Sequence, residues 1–234
     1  MRGKNGIYNR YIKRILDIIC AFLAFTATGP VYIIVAILVK IKLGSPVLFT
    51  QERPGKDEKI FKMYKFRTMT DERDENGNLL PDDKRLTSFG KLLRSTSLDE
   101  LPEAINILKG DMSVIGPRPQ LVRDMVFMTP EQRKRHTVKP GLSGLAQVSG
   151  RNALDWEEKL KIDLDYIKDI SFKNDARIVG LTVKKVFFRD AGPDNIADNT
   201  DLAEDYGDYL LSLGKVGKQF YEEKQMEAKR ILGG

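Results

Sequence analysis

The sequence predicts a mostly helical α+β protein, with one apolar N-terminal segment at a membrane and a compact domain carrying a small β-hairpin and surface amphipathic helices. Three observations carry this. Ile18 to Val39 is 22 residues without a charge. Two β-rich runs are joined by a turn containing Pro54 and Gly55. Downstream, apolar residues recur at helical spacing, as in Trp156, Leu160, Leu164 and Ile167.

The N-terminal segment is long enough to cross a bilayer as a helix. A signal peptide fits poorly, because apolar sequence resumes after Pro30 and runs to Val39. Gly29-Pro30 sits mid-segment, where proline removes a backbone bond. Basic residues flank both sides: Arg2, Lys4, Arg10, Lys13 and Arg14 before, Lys40 and Lys42 after. Positive charge favours the cytoplasmic side, so a re-entrant helix-break-helix hairpin satisfies both flanks. Its arms would reach roughly 18 Å each, part-way through a core of about 30 Å. A kinked span and a buried soluble helix remain alternatives. Thr26 and Thr28 hydroxyls could serve the backbone groups freed by Pro30.

Pro46 to Gln51 and Ile60 to Met69 read as strands. Lys62, Lys65 and Arg67 in the second fit either a charged edge or a phosphate-facing strand. Residues 71–84 form an acidic, turn-rich loop. Helices are expected from Ser88 to Arg94 and from Asp99 to Leu108. Lys139 to Arg151 is rich in glycine, either a plain connection or a backbone built for close approach. Trp156 to Ile170 is an amphipathic helix, and Val179 to Phe188 could lie on a membrane surface. The expected division is 1–43 for the membrane segment, 44–190 for the cytosolic domain and 191–234 for an acidic helical tail. That tail holds five Lys/Arg against nine Asp/Glu; with +6 overall, the first 190 residues carry +10. A basic body suits anionic lipid, nucleotide phosphate or nucleic acid.

Composition narrows the chemistry. Cys20 is the single cysteine, so no intrachain disulfide framework exists and a reducing compartment is expected. One Cys and one His exclude a His/Cys zinc cluster. His136 lies in the charged run Gln132 to His136 and is expected to be a solvated surface residue. An enzyme built here must work with carboxylates, arginines and a hard cation.

Asp99-Glu100 is the leading pair. Ser97 and Glu100 fit a capping box, but Pro102 would then fall where its missing N–H is needed. With Asp99 as the cap, Pro102 is harmless. In either register both carboxylates sit at a helix start, where the dipole lowers their pKa, and an ionised Asp is a candidate nucleophile toward phosphorus. Capping and catalysis both fit the spacing. Arg94 precedes the pair, and Arg118, between Pro117 and Pro119, follows on a stiff backbone suited to a phosphate clamp. Adjacent carboxylates do not flank a sugar as a glycosidase pair must. Asp163-Leu164-Asp165 has the D-x-D metal-site pattern, but in a helix residues i and i+2 diverge. No Walker A sequence is present.

Together the segments resemble the bacterial sugar transferase family, the small monotopic phosphoglycosyl transferases. The matching residues are the basic apolar N-terminus, Phe49 to Gly55, Lys65 to Met69, Arg94 with Ser97 to Pro102, Gly110 to Ser113, Gly116 to Pro119, Pro140 to Gly144 and Gly150-Arg151, in order over roughly residues 8–190. The resemblance implies transfer of a sugar-1-phosphate from a UDP-sugar to undecaprenyl phosphate, releasing UMP, as the first membrane step of glycoconjugate assembly. It implies Asp99 as nucleophile, holding a phosphosugar ester, with Mg²⁺ at Asp99 and Glu100 orienting the site or handling a proton. It places Arg118 at a phosphate-binding position and Lys65, Arg67, Arg94 and Arg151 at basic positions for phosphate or uridine. It also implies the re-entrant hairpin, the cytoplasmic face of a bacterial inner membrane, and downstream glycosyltransferases as partners. The chain has Gly29-Pro30 where the family often has Ser-Pro. A non-catalytic membrane-surface binding protein is the rival reading; nucleic-acid binding lacks a supporting motif.

Overall fold

The structure, a computed structural model, describes residues 6–150, 154–187 and 205–233. A π-helical turn at Tyr8–Ile12 leads into helix α1, Lys13–Leu43. This run is long and apolar enough to cross a membrane. The backbone stays helical through Gly29 and Pro30, where the sequence suggested a break. The Thr26 hydroxyl bonds back to the carbonyls of Phe22 and Leu23, and the Thr28 hydroxyl to that of Ala24. They therefore do not serve the Thr26 carbonyl that Pro30 leaves without a donor, and back-bonding of this kind bends helices.

Both halves of α1 are tied to one body. Before Pro30, Arg14 donates to the carbonyls of Ile107 and Leu108 at 2.6 and 2.9 Å. The buried Asp17 accepts from Ser113 Oγ and Val114 N, each at 2.9 Å. After Pro30, Val35, Val39 and Leu43 pack with Phe66 and Leu93, and the Tyr32 and Phe66 rings lie 4.8 Å apart. The remaining face exposes Ile15, Ile19, Phe22, Ile33 and Ile37.

Strands β1, Leu48–Pro54, and β2, Ile60–Phe66, pair antiparallel from Leu48↔Phe66 to Pro54↔Ile60. The hairpin thus closes at the turn signal, with its strands shifted by a few residues. Short helix α2, Asp82–Arg85, follows the acidic loop, and α3, Ser88–Thr96, is capped by Thr87, whose hydroxyl accepts from Gly90 N. A 3₁₀ turn at Leu98–Glu100 precedes α4, Glu103–Lys109. The helix expected from Asp99 therefore starts at Glu103. Pro102 takes the cap position, where it needs no N–H.

Strand β3, Ser113–Ile115, is followed by α5, Val122–Met125, and α6, Pro130–Arg133. Strand β4, Gly141–Ser143, returns parallel to β3, with Ser113↔Gly141 and Ile115↔Ser143. Helices α7, Leu145–Ser149, α8, Trp156–Lys168, and α9, Phe172–Phe187, come next. Tyr8 and Lys13 both bond Asp175 of α9, at 2.7 and 2.6 Å, which sets α9 beside the start of α1. Phe172, Val179 and Val183 of α9 are exposed while Ile178 is buried. Helices α10, Tyr206–Ser212, and α11, Lys218–Ile231, form the described part of the C-terminal segment. Tyr206, Leu210 and Ala228 share a core with Val122, Met125, Phe127 and Leu160, so this segment packs into the body.

Candidate active site

Asp99 and Glu100 occupy the 3₁₀ turn between α3 and α4. Ser97 enters it with φ of 56° and makes no side-chain cap bond, so the capping box suggested by Ser97 and Glu100 does not form. Glu100 is held instead by two cations. Lys65 Nζ donates to Glu100 Oε1 at 3.1 Å, and Arg118 donates to the same oxygen at 3.0 Å. Asp99, 6% exposed, makes no hydrogen bond with the described residues.

Backbone geometry delivers both cations. In β2, Lys65 shares strand parity with the core residue Met63, so its stem runs inward. Arg118 follows Gly116, whose backbone is pressed against the glycine-rich segment. A Cβ on Gly141 would lie 2.0 Å from Gly116 N, and one on Gly144 would lie 2.3 Å from Gly116 O. Gly141 and Gly144 thus allow contact between two backbones, and this contact aims the Gly116–Pro119 turn.

A third carboxylate joins the pair. Glu103, 3% exposed, stands with Oε1 at 3.6 Å from Lys65 Nζ. Sequence reasoning missed it, although one helical turn past Glu100 is the spacing that returns a side chain to the same face. Burial pushes Asp99 up to about 6, with the neighbouring Glu100 charge adding to the shift. Burial acts the same way on Glu100, but Lys65 and Arg118 outweigh it and hold the group at about 2. Burial, then the Glu100 charge, pushes Glu103 up to about 8. At neutral pH the cluster therefore holds Glu100 ionised, Asp99 largely ionised and Glu103 protonated.

The other basic residues are distributed differently. Arg94 is buried, donates to Thr68 Oγ1 at 3.0 Å, and its charge acts on Asp99. Arg67 serves the loops: it donates to the carbonyls of Met69 and Ser45 and pairs with Asp71, and no described bond takes it to the carboxylates. Arg151 lies outside the described residues. Nor is His136 on the surface as the charged run suggested: it is 5% exposed, and burial, then Arg135, lowers it to about 4. Arg135 is buried too, bonded to Asp163 at 2.6 Å. Asp165 faces the other way and pairs with Lys168, so Asp163 and Asp165 do not converge on a metal.

A groove of about 480 Å³ opens along Ser97, Glu100 and Leu101, the turn that carries Asp99. Arg118 lines it, with Ala24, Phe25 and Thr28 of α1, Val179 and Val183 of α9, and Trp156 and Lys159 of α8. Gln147 lines it as well, its Nε2 tied to the Leu142 carbonyl at 3.2 Å. The arrangement offers a buried carboxylate without a described hydrogen bond, a second one held by two cations, and a wall from the apolar helix.

Comparison with known proteins gives a match over residues 8–189 to the family model described as bacterial sugar transferase. The chain is 49% identical over 175 residues to the uncharacterized sugar transferase EpsL of Bacillus subtilis (strain 168), covering 75% of this chain and 87% of EpsL. It is 40% identical over 195 residues to a UDP-glucose:undecaprenyl-phosphate glucose-1-phosphate transferase of Escherichia coli (strain K12), covering 78% of this chain and 42% of that protein. With the undecaprenyl-phosphate galactose phosphotransferase of Salmonella typhimurium the identity is 35% over 199 residues, again 78% and 42%. The chain therefore matches most of EpsL but less than half the length of the other two.

Proposed function

The chain belongs to the bacterial sugar transferase family, and on that premise we propose that it transfers sugar-1-phosphate from a UDP-sugar to undecaprenyl phosphate through a covalent intermediate on Asp99. In the first half-reaction an Asp99 oxygen attacks the β-phosphorus. The bond from that phosphorus to the bridging oxygen breaks, and UMP leaves with the electron pair. In the second, an oxygen of the lipid phosphate attacks the same phosphorus, the aspartyl ester breaks, and Asp99 returns as a carboxylate. The observation that carries this reading is the contrast within one turn. Lys65 and Arg118 both donate to Glu100 Oε1, while Asp99 is buried beside it with no hydrogen bond to a described residue.

Arg118 would bind diphosphate oxygens, and the Lys65 and Arg94 charges favour the ionised form of Asp99. The donor set fits Mg²⁺, which typically takes one or two carboxylates plus substrate phosphate oxygens. Among the described residues no group of three or more His, Cys, Asp or Glu forms an all-protein cage. Asp99 would hold the ion, which when bound would neutralise diphosphate charge.

The same proposal puts α1 into the membrane as a re-entrant element, from the cytoplasmic face of the inner membrane. Arg14 and Asp17 before Pro30 and Val39 and Leu43 after it are all fixed to one body, whereas a straight span would carry one end away from it. Shallow insertion holds the groove at the depth of the lipid phosphate. The test is UMP release by the detergent-solubilised protein with a panel of UDP-sugars, Mg²⁺ and undecaprenyl phosphate. Lipid-dependent UMP, lost in Asp99→Asn, is expected; no UMP from any donor would overturn the assignment.

A further inference from the structure

The walls of the groove are unlike. On one side stand Phe25 of α1 and Val179 and Val183 of α9, from helices whose outer faces are apolar and exposed. On another stand Trp156 and Lys159 of α8. Helix α7 packs against both α8 and α9. An acceptor made of one phosphate on a long apolar chain suits the α1 and α9 wall. Of the aromatic side chains that line the groove, Phe25 belongs to that wall and Trp156 does not.

We propose that the α8 wall is the nucleoside subsite of the donor, with the base stacked on the Trp156 indole. The inference rests on the preceding reading that the donor is a uridine nucleotide. The indole is backed by Tyr206, ring centroids 5.1 Å apart. Tyr206 is itself fixed: its N donates to Asp124 Oδ1 at 3.0 Å, and its hydroxyl accepts from Gln132 Nε2 at 3.1 Å. The indole thus packs at a 38° tilt against a fixed ring while the residue lines the groove, a construction suited to a stacking platform. Lys159, three residues along α8, brings a positive charge to the same wall. Tyr206 lies beyond residues 8–189, so the C-terminal segment supplies the backing.

Trp156 is the one tryptophan of the chain, which makes its emission a direct report of this wall. Titration of the full-length protein in detergent with UMP and with UDP is expected to give a saturable change in that emission. Calorimetry is expected to show UDP bound about tenfold more weakly by Trp156→Ala and nearly normally by Trp156→Phe, as loss of stacking requires. The Phe variant also guards against misfolding of the Ala variant. UDP binding with no change in emission, equal affinity in Trp156→Ala, or a change produced by a short-chain polyprenyl phosphate and not by UDP would overturn the subsite. No UDP binding by the wild type would overturn both readings. Emission changes with UDP but no UMP release from any UDP-sugar would overturn the transferase reading alone.

Discussion

Lys65 and Glu100 meet across 35 residues of sequence, with Nζ at 3.1 Å from Oε1 inside a nearly dry cluster. The same ammonium stands 3.6 Å from Glu103, so one cation lies between the ionised Glu100 and the protonated Glu103. Replacing it by methionine leaves Glu100 with Arg118, which is more exposed. Lys65→Met is expected to cost about 3 kcal/mol, as removal of one partner from a buried pair does. Denaturant melts would check this, and UMP release should fall at least about 100-fold, in line with loss of an electrostatic group from a site. A variant with wild-type stability and rate would contradict the role given to Lys65.

Glu103→Gln should behave in the opposite way. Burial and the Glu100 charge already keep Glu103 protonated at neutral pH, so the amide reproduces its shape and neutrality. Turnover within a few-fold of wild type and equal or higher thermal stability are expected. A large loss of turnover would mean that Glu103 works as a charged group.

Asp99→Asn tests the cost of an ionised carboxylate in this site. Burial raises Asp99 to about 6, against roughly 4 in the unfolded chain. Between those values the native state binds the extra proton, so wild-type stability falls as pH rises from about 4 to about 6 and stays reduced above. Asn carries no such cost. The Tm advantage of Asp99→Asn, measured with a chelator and no nucleotide, should be absent below pH of about 4, grow up to about 6 and then level off. A difference independent of pH would refute the shift.

Gly141→Ala probes how Arg118 is aimed. Its Cβ would meet Gly116 N at 2.0 Å and Gly116 Cα at 2.6 Å, both backbone atoms that cannot swing away. A loss of about 4 kcal/mol or more is expected, in the range that only severe core clashes reach. Normal melting of Gly141→Ala would show that β3 and β4 can separate without harm.

Much of this site was legible from local sequence signals. The hairpin followed from Pro54-Gly55 between β-rich runs, and Asp99-Glu100 from its place where a helix was expected to begin. Arg118 stood out because two prolines stiffen it. What escaped was long-range. Whether Lys65 faced solvent or the carboxylates depended on which face of β2 the core covers, and alternation alone leaves that open. His136 read as surface because its neighbours Arg133, Lys134 and Arg135 are charged, yet it is buried, and Arg135 is neutralised by Asp163 from α8. The place of the C-terminal segment depended on Tyr206, Leu210 and Ala228 finding Val122 and Phe127, a pairing that composition does not encode.

Intact-protein mass spectrometry tests the central claim most directly. The protein is incubated with UDP-sugars and Mg²⁺ without lipid acceptor. A mass gain equal to one phosphosugar is predicted, absent in Asp99→Asn and discharged when undecaprenyl phosphate is added. A protein that releases UMP in the presence of lipid but never carries the adduct, or an Asp99→Asn variant that still carries it, would contradict the covalent role of Asp99.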